Sequence, residues 1–99
     1  MIVNRRTFVV KPGRMVDARV LVQEAVRTTP AGMTRPLRWY AIEFGAWNLL
    51  ALETEFATLA EYERLMAEWL ASLSPEFWKK WHDALDQGGS NELWTLIDV

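Results

Sequence analysis

Apolar positions along the chain change period from two to about three and a half and back, and each change marks an element. From Ile2 to Lys11 the residues alternate, with Ile2, Phe8 and Val10 on one side of an extended chain and Val3, Thr7 and Val9 on the other. That period, together with β-branched composition, predicts a strand. Pro12-Gly13 ends it, because proline removes a ladder donor and glycine accepts unusual dihedrals. From Arg14 to about Arg27, Met15, Ala18, Val22, Ala25 and Val26 recur at helical spacing, with Leu21 alongside. Thr28 to Pro36 carries chain breakers throughout and predicts a loop. Leu37 to Phe44 and Leu49 to Phe56 predict two strands joined by a hairpin at Gly45.

Thr58-Leu59-Ala60-Glu61 matches a capping box, in which the Thr hydroxyl and the Glu carboxylate satisfy free N–H groups at a helix start. The helix behind it places Leu59, Tyr62, Leu65, Met66, Trp69 and Leu70 on one stripe. Ser74-Pro75 opens a second short helix, with serine as cap and proline at the first position. That helix carries Phe77, Trp78, Trp81, His82 and Leu85. Gln87 to Asn91 predicts a turn and Glu92 to Val99 a last strand.

The succession is βαββαβ with its second helix in two pieces. It predicts an α+β fold, a ferredoxin-like protomer with sheet order 4-1-3-2, in a single domain over residues 1–99. Helices on one side leave the other sheet face bare, with Val3 and Val9 among its residues. Water is a poor neighbour for such a face, so a second copy packed against it is expected, giving a homodimer. A chain this short buries roughly 60–68% of its unfolded surface and gains from such cover.

Charge changes this picture little. Net charge is −2, yet residues 1–40 hold eight Arg and Lys against Asp17 and Glu24, while residues 41–99 hold three against eleven acids. The bases are spread over a strand, a helix and a loop, which argues against nucleic acid. Strand one antiparallel to strand three sets Arg5 and Arg6 across from Glu53 and Glu55, so internal compensation is expected. There is no Cys, which excludes disulfides, thiolate nucleophiles and zinc–thiolate sites. No apolar run approaches the ~20 residues that span a bilayer, and the first residues lack the apolar core of a signal peptide. A cytoplasmic protein with no membrane partner is expected.

Tyr40 to Met66, the opening Arg6-Thr7-Phe8-Val9-Val10-Lys11-Pro12-Gly13 and the late Pro75-Glu76-Phe77-Trp78 together resemble the NIPSNAP family of small dimeric α/β-barrel proteins. The resemblance implies a ferredoxin-like protomer whose two sheets form a barrel across a dimer, and it implies little chemistry. Leu52 and Thr54 stand where members commonly carry a His and a Trp. Haem-degrading monooxygenases of the same superfamily offer a second similarity. They use an Asn in the first strand, a Trp late in the second helix and a His on the next helical segment. Here those places are matched by Asn4, Trp69 and His82, which are the catalytic candidates on that reading. His82 would ligate haem iron.

Asn4 is unusual inside a strand, and beside Ile2 and Phe8 its amide needs a buried partner or a ligand. Arg6 on the same face would hold an anionic group or pair with a nearby Glu. Trp69 continues the stripe begun at Leu59, which is also how a core residue reads. His82, the only histidine, cannot head a two-His metal site and no metal is expected. Glu43 and Glu53 near one end of the central hairpin could serve as acid and base if close together, but the preferred reading is that they are Arg partners or face solvent.

Six Trp in 99 residues, combined with polar side chains on an apolar strand face, predict a small-molecule site between sheet and helices. Its expected lining is Asn4, Arg6, Tyr40, Trp69, Trp78 and His82, with no cofactor required and a small hydrophobic or anionic ligand. Two other readings follow: a monooxygenase that needs no flavin or metal of its own or that takes haem, and a non-catalytic interaction dimer. A cavity filled by its own side chains would favour the last.

Overall fold

A computed structural model describes residues 1–98. The elements are β1 (Ile2–Val9), α1 (Met15–Arg27), β2 (Leu37–Ala41), β3 (Leu49–Phe56), α2 (Leu59–Ser72), α3 (Pro75–Ala84) and β4 (Ser90–Thr95). The four strands form one antiparallel sheet in the order β2-β3-β1-β4. This is the ferredoxin-like α+β arrangement that the periodicity predicts. No helix among the described residues is long and apolar enough to cross a membrane.

Several boundaries differ from expectation for local reasons. β1 ends at Val9; Val10 is buried and bridges to Leu85 instead. β2 stops at Ala41 because residues 42–48 form the hairpin loop, with Gly45 and Asn48 at positive φ. β4 runs over Ser90–Thr95 rather than Glu92–Val99, starting two residues early because Thr7 pairs with Ser90. Val99 lies outside the described residues. Gly89, at φ +96°, comes so close to the Thr7 carbonyl that a Cβ there would collide with it. A glycine is needed to lay β4 onto β1 at this point.

The helix starts follow their sequence signals. Thr58 Oγ1 accepts the Glu61 N–H at 3.1 Å, and Glu61 Oε1 accepts the Ala57 N–H at 3.5 Å, one residue before the cap. Ser74 Oγ accepts the Phe77 N–H at 3.0 Å with Pro75 at the first helical position. Helix α2 packs on β3, and α1 on α3. Their buried faces are narrower than the apolar stripes: Ala18, Leu21 and Ala25 on α1, and Leu65, Met66 and Trp69 on α2. Val26 and Leu59 remain partly exposed.

Directly opposed residues share a sheet face, so the register sorts the strands without ambiguity. Ile2, Asn4, Arg6 and Phe8 face the helices with Leu50, Leu52, Thr54 and Phe56 of β3 and Leu37, Trp39 and Ala41 of β2. The bare face carries Val3, Thr7, Val9, Leu49, Ala51, Tyr40 and Trp94. It is less uniformly apolar than expected. Glu92, Arg5, Glu53 and Arg38 lie opposite one another across β4, β1, β3 and β2, a row of alternating charge straight across the sheet. Arg5 thus stands opposite Glu53 as expected, without an ion pair between them among the described residues. Arg6 does not meet Glu55: it lies on the other face, between Leu52 and Asn91.

Candidate functional site

The helix-covered face of the sheet begins with Asn4, which is fully buried in the middle of β1. Its amide nitrogen donates to Asn91 Oδ1 at 2.7 Å and to the Glu92 carbonyl at 2.9 Å, both on β4. Its Oδ1 accepts from Arg6 Nε at 3.2 Å. Arg6 Nη2 in turn donates to the Tyr62 hydroxyl of α2 at 3.2 Å. A polar chain therefore runs from the edge strand through Asn4 and Arg6 to the helix layer. It answers the question that an asparagine in this strand raises, since both ends of its amide are satisfied inside the protein.

Beyond Arg6 lies a cavity of about 70 Å³ between the sheet and all three helices. Its walls are Phe8, Trp39 and Leu52 from the sheet, Val22 and Ala25 from α1, Met66, Trp69 and Leu70 from α2, Leu73, and Phe77, Trp78 and Trp81 from α3. Arg6 is the only charged residue among them. Four of the six tryptophans of the chain meet here.

The aromatic wall is internally packed. Phe8 stacks on Trp39 with centroids 5.8 Å apart, and meets Trp81 edge-on at 5.1 Å. Phe77 reaches Trp81 at 6.1 Å and Trp78 at 5.5 Å. Such pairs contribute about 0.5–1.5 kcal/mol each beyond their buried area. Trp69 is pinned by its indole N–H, which donates to the Ala25 carbonyl at 2.9 Å and ties α2 to the end of α1.

Two polar atoms on this side have no partner among the described residues: Trp39 Nε1 and Thr54 Oγ1, both buried. Thr54 lies directly opposite Asn4. An unpaired buried donor costs on the order of 1–3 kcal/mol, a cost that an acceptor reaching the Trp39 indole would offset. Arg6 is also incompletely used. Two of the five guanidinium N–H groups are bonded. No carboxylate among the described residues forms an ion pair with it.

Of the residues expected to line the site, Arg6, Trp69 and Trp78 come together in the cavity wall. Asn4 stands one step behind, holding Arg6. Tyr40 does not join them, because strand alternation puts it on the bare face beside Ala51. His82 is exposed on α3 and stacks against Trp78 with centroids 5.7 Å apart, outside the cavity. Asn4, Trp69 and His82 therefore do not converge on one space. Nor do Glu43 and Glu53 form an acid–base pair: Glu43 lies in the hairpin loop, and Glu53 is flanked by Arg5 and Arg38. The wall residues Trp39, Trp81 and Phe77 went unselected in the sequence. The i, i+4 pair Phe77 and Trp81 on α3 was the available signal, and its apolar spacing reads equally as core.

Protonation equilibria are displaced away from the cavity. Arg14 donates to Asp83 at 3.0 Å and to Asp17 at 2.7 Å, linking α1 to α3. The Arg14 hydrogen bond, with its charge and that of Lys11, holds the Asp83 carboxyl below its ordinary value. The Arg14 guanidinium is raised in turn, chiefly by Asp83 and then by Asp17.

No protein-family model matches the sequence, and no curated protein matches it. Solved structures do match. A NIPSNAP family protein from Agrobacterium tumefaciens superposes with a TM-score of 0.78 at 15% identity, over 98% of this chain and 93% of that one. An uncharacterised NIPSNAP-like domain protein from Burkholderia xenovorans gives 0.73 at 18% identity, over 97% and 84%. A protein described as an antibiotic biosynthesis monooxygenase gives 0.71 at 14% identity, over 99% and 100%. NIPSNAP family proteins are thus among the structural neighbours of this chain, and the ferredoxin-like fold is common to them and to the monooxygenase. At these identities the likeness is one of fold.

Proposed function

We propose that this protein is a homodimer that binds a small molecule between its sheet and its helices. The observation that carries the reading is the cavity behind Arg6. It is apolar on nearly every side, walled by residues from six separate elements, and not filled by its own side chains. Preformed apolar space with few convergent polar groups is the usual form of a ligand site. At about 70 Å³ and partly open, it has room for part of a ligand, since an engineered cavity of ~150 Å³ is what takes a whole benzene.

The homodimer rests on the other side of the sheet. Trp94, Leu96 and Ile97 are exposed there or at the adjoining edge, and every residue of β4 is exposed. An edge strand with an open apolar flank favours pairing with another chain. The cross-sheet row of Glu92, Arg5, Glu53 and Arg38 balances its own charge, which lowers the cost of covering it.

A second reading, a monooxygenase that needs no flavin or metal of its own, is favoured by the fold shared with the antibiotic biosynthesis monooxygenase. It would use the same cavity. A haem-based version draws no support from the geometry, with His82 outside the cavity and the space far smaller than a macrocycle.

Native mass spectrometry of the purified protein and of Val22→Phe, which adds a ring to the cavity wall, tests the proposal. The expected result is a dimer that carries or takes up a discrete small mass, with uptake lost in the variant. A monomer, or an adduct that persists in Val22→Phe, would overturn it.

A further inference from the structure

Arg6 poses the sharpest chemical question in the molecule. It is half-buried, it borders a space otherwise lined by apolar side chains, and its two bonded partners, Asn4 Oδ1 and the Tyr62 hydroxyl, are neutral. Its strand neighbours opposite are Leu52 and Asn91. No carboxylate among the described residues neutralises it. A guanidinium fixed at two of its nitrogens still presents the remaining N–H donors in a planar fork that matches a carboxylate. Trp39, in the wall of the same cavity, has a buried indole N–H with no acceptor among the described residues.

Resting on the small-molecule reading above, we infer that the ligand class is an apolar molecule bearing one carboxylate or similar singly charged oxyanion. The oxyanion sits on Arg6 and the apolar body lies against Trp39, Trp69 and Trp81. Asn4 is a positioning residue. Its amide is locked by Asn91 and the Glu92 carbonyl, so its Oδ1 is the only end free to accept from Arg6 Nε, and this fixes the direction of the guanidinium. The volume of the space limits the buried body to a slender chain or part of a ring.

Hexanoate and its neutral isostere hexanamide test this without knowledge of the natural ligand. Each is titrated against wild type, Arg6→Met and Asn4→Asp, read by calorimetry and by the fluorescence of the cavity tryptophans. Wild type is expected to prefer hexanoate by about tenfold or more, the scale of one charge-assisted pair. Arg6→Met keeps the apolar stem and should bring the ratio near one. Asn4→Asp sets a carboxylate against Arg6 Nε but forfeits the two donor bonds to Asn91 and the Glu92 carbonyl. With its fold checked by circular dichroism it should also collapse the ratio, by neutralising the cation from within; where it does not fold, Arg6→Met alone carries the test. Equal affinity of wild type for the two compounds, or a preference that survives Arg6→Met, would overturn the inference while the cavity reading stands. Binding of neither compound would overturn both.

Discussion

Arg5 and Arg6 are consecutive residues of one strand and live in opposite electrostatic worlds. Arg5 points to the bare face and has Glu53 on one side and Glu92 on the other. Arg6 points to the helices and has Leu52 and Asn91 beside it, and among the described residues its bonded partners are neutral oxygens. The first stands in a row of alternating charge, opposite two carboxylates, although it closes no ion pair with either among the described residues. The second is a cation on an apolar cavity, which is the condition under which an anionic partner gains most. Composition treats the two arginines alike. Strand alternation, one residue apart, decides which of them stabilises the sheet and which is available to a ligand.

The same contrast extends to tryptophan. Trp69 is buried and hydrogen-bonded on the helix side, whereas Trp94 on the bare side is more than half exposed. The largest expected effect comes from attacking the first. Trp69→Ala should destabilise the fold by about 3–5 kcal/mol in urea unfolding, through lost packing and a cavity left among rigid neighbours. A loss under about 1 kcal/mol, the scale of an ordinary surface change, would mean that the helix face is not the rigid side.

A smaller effect is expected on the bare face. Glu53→Lys places three cations in a row, Arg5, Lys and Arg38, where alternating signs now stand. The melting temperature should fall by the equivalent of about 1 kcal/mol, less at high salt. An unchanged melting temperature would reduce the row to coincidence.

The smallest effect concerns Asp83, on neither face. Its carboxyl is held below its ordinary value by the Arg14 hydrogen bond, so the folded state binds its proton less readily than the unfolded chain. The resulting stabilisation is present above the unfolded value near 3.8 and is lost as pH falls through the lower folded value. Because the pair is exposed to solvent, the contribution is slight. Asp83→Asn should lower the melting temperature slightly at neutral pH and leave it unchanged at the acid end. A decrement that persists in strong acid would assign the effect to packing instead.

The elements were legible because each rests on local chemistry. Thr58 and Ser74 cap the helices that their positions announce, and β3 alternates perfectly between half-buried and buried residues. Strand order followed from the succession of elements. Of the expected lining Asn4, Arg6, Tyr40, Trp69, Trp78 and His82, the fold brings Arg6, Trp69 and Trp78 to one cavity wall. Tyr40 and His82 were misplaced for different reasons. The parity of β2 depends on its register with β3, which a hairpin of uncertain length leaves open. The orientation of His82 depends on how α3 rolls against α1, and there Phe77, Trp81 and Ala84 take the buried side.

By itself, then, the sequence determined the βαββαβ order, the capped helix starts and an apolar layer rich in tryptophan, because periodicity and capping act within a few residues. Tertiary structure alone decided that Asn4 binds β4, that Arg6 faces a cavity with no carboxylate paired to it among the described residues, and that Arg5, Glu53, Arg38 and Glu92 align. Those are relations between strands far apart in the chain, set by register across the sheet, and no local pattern encodes them.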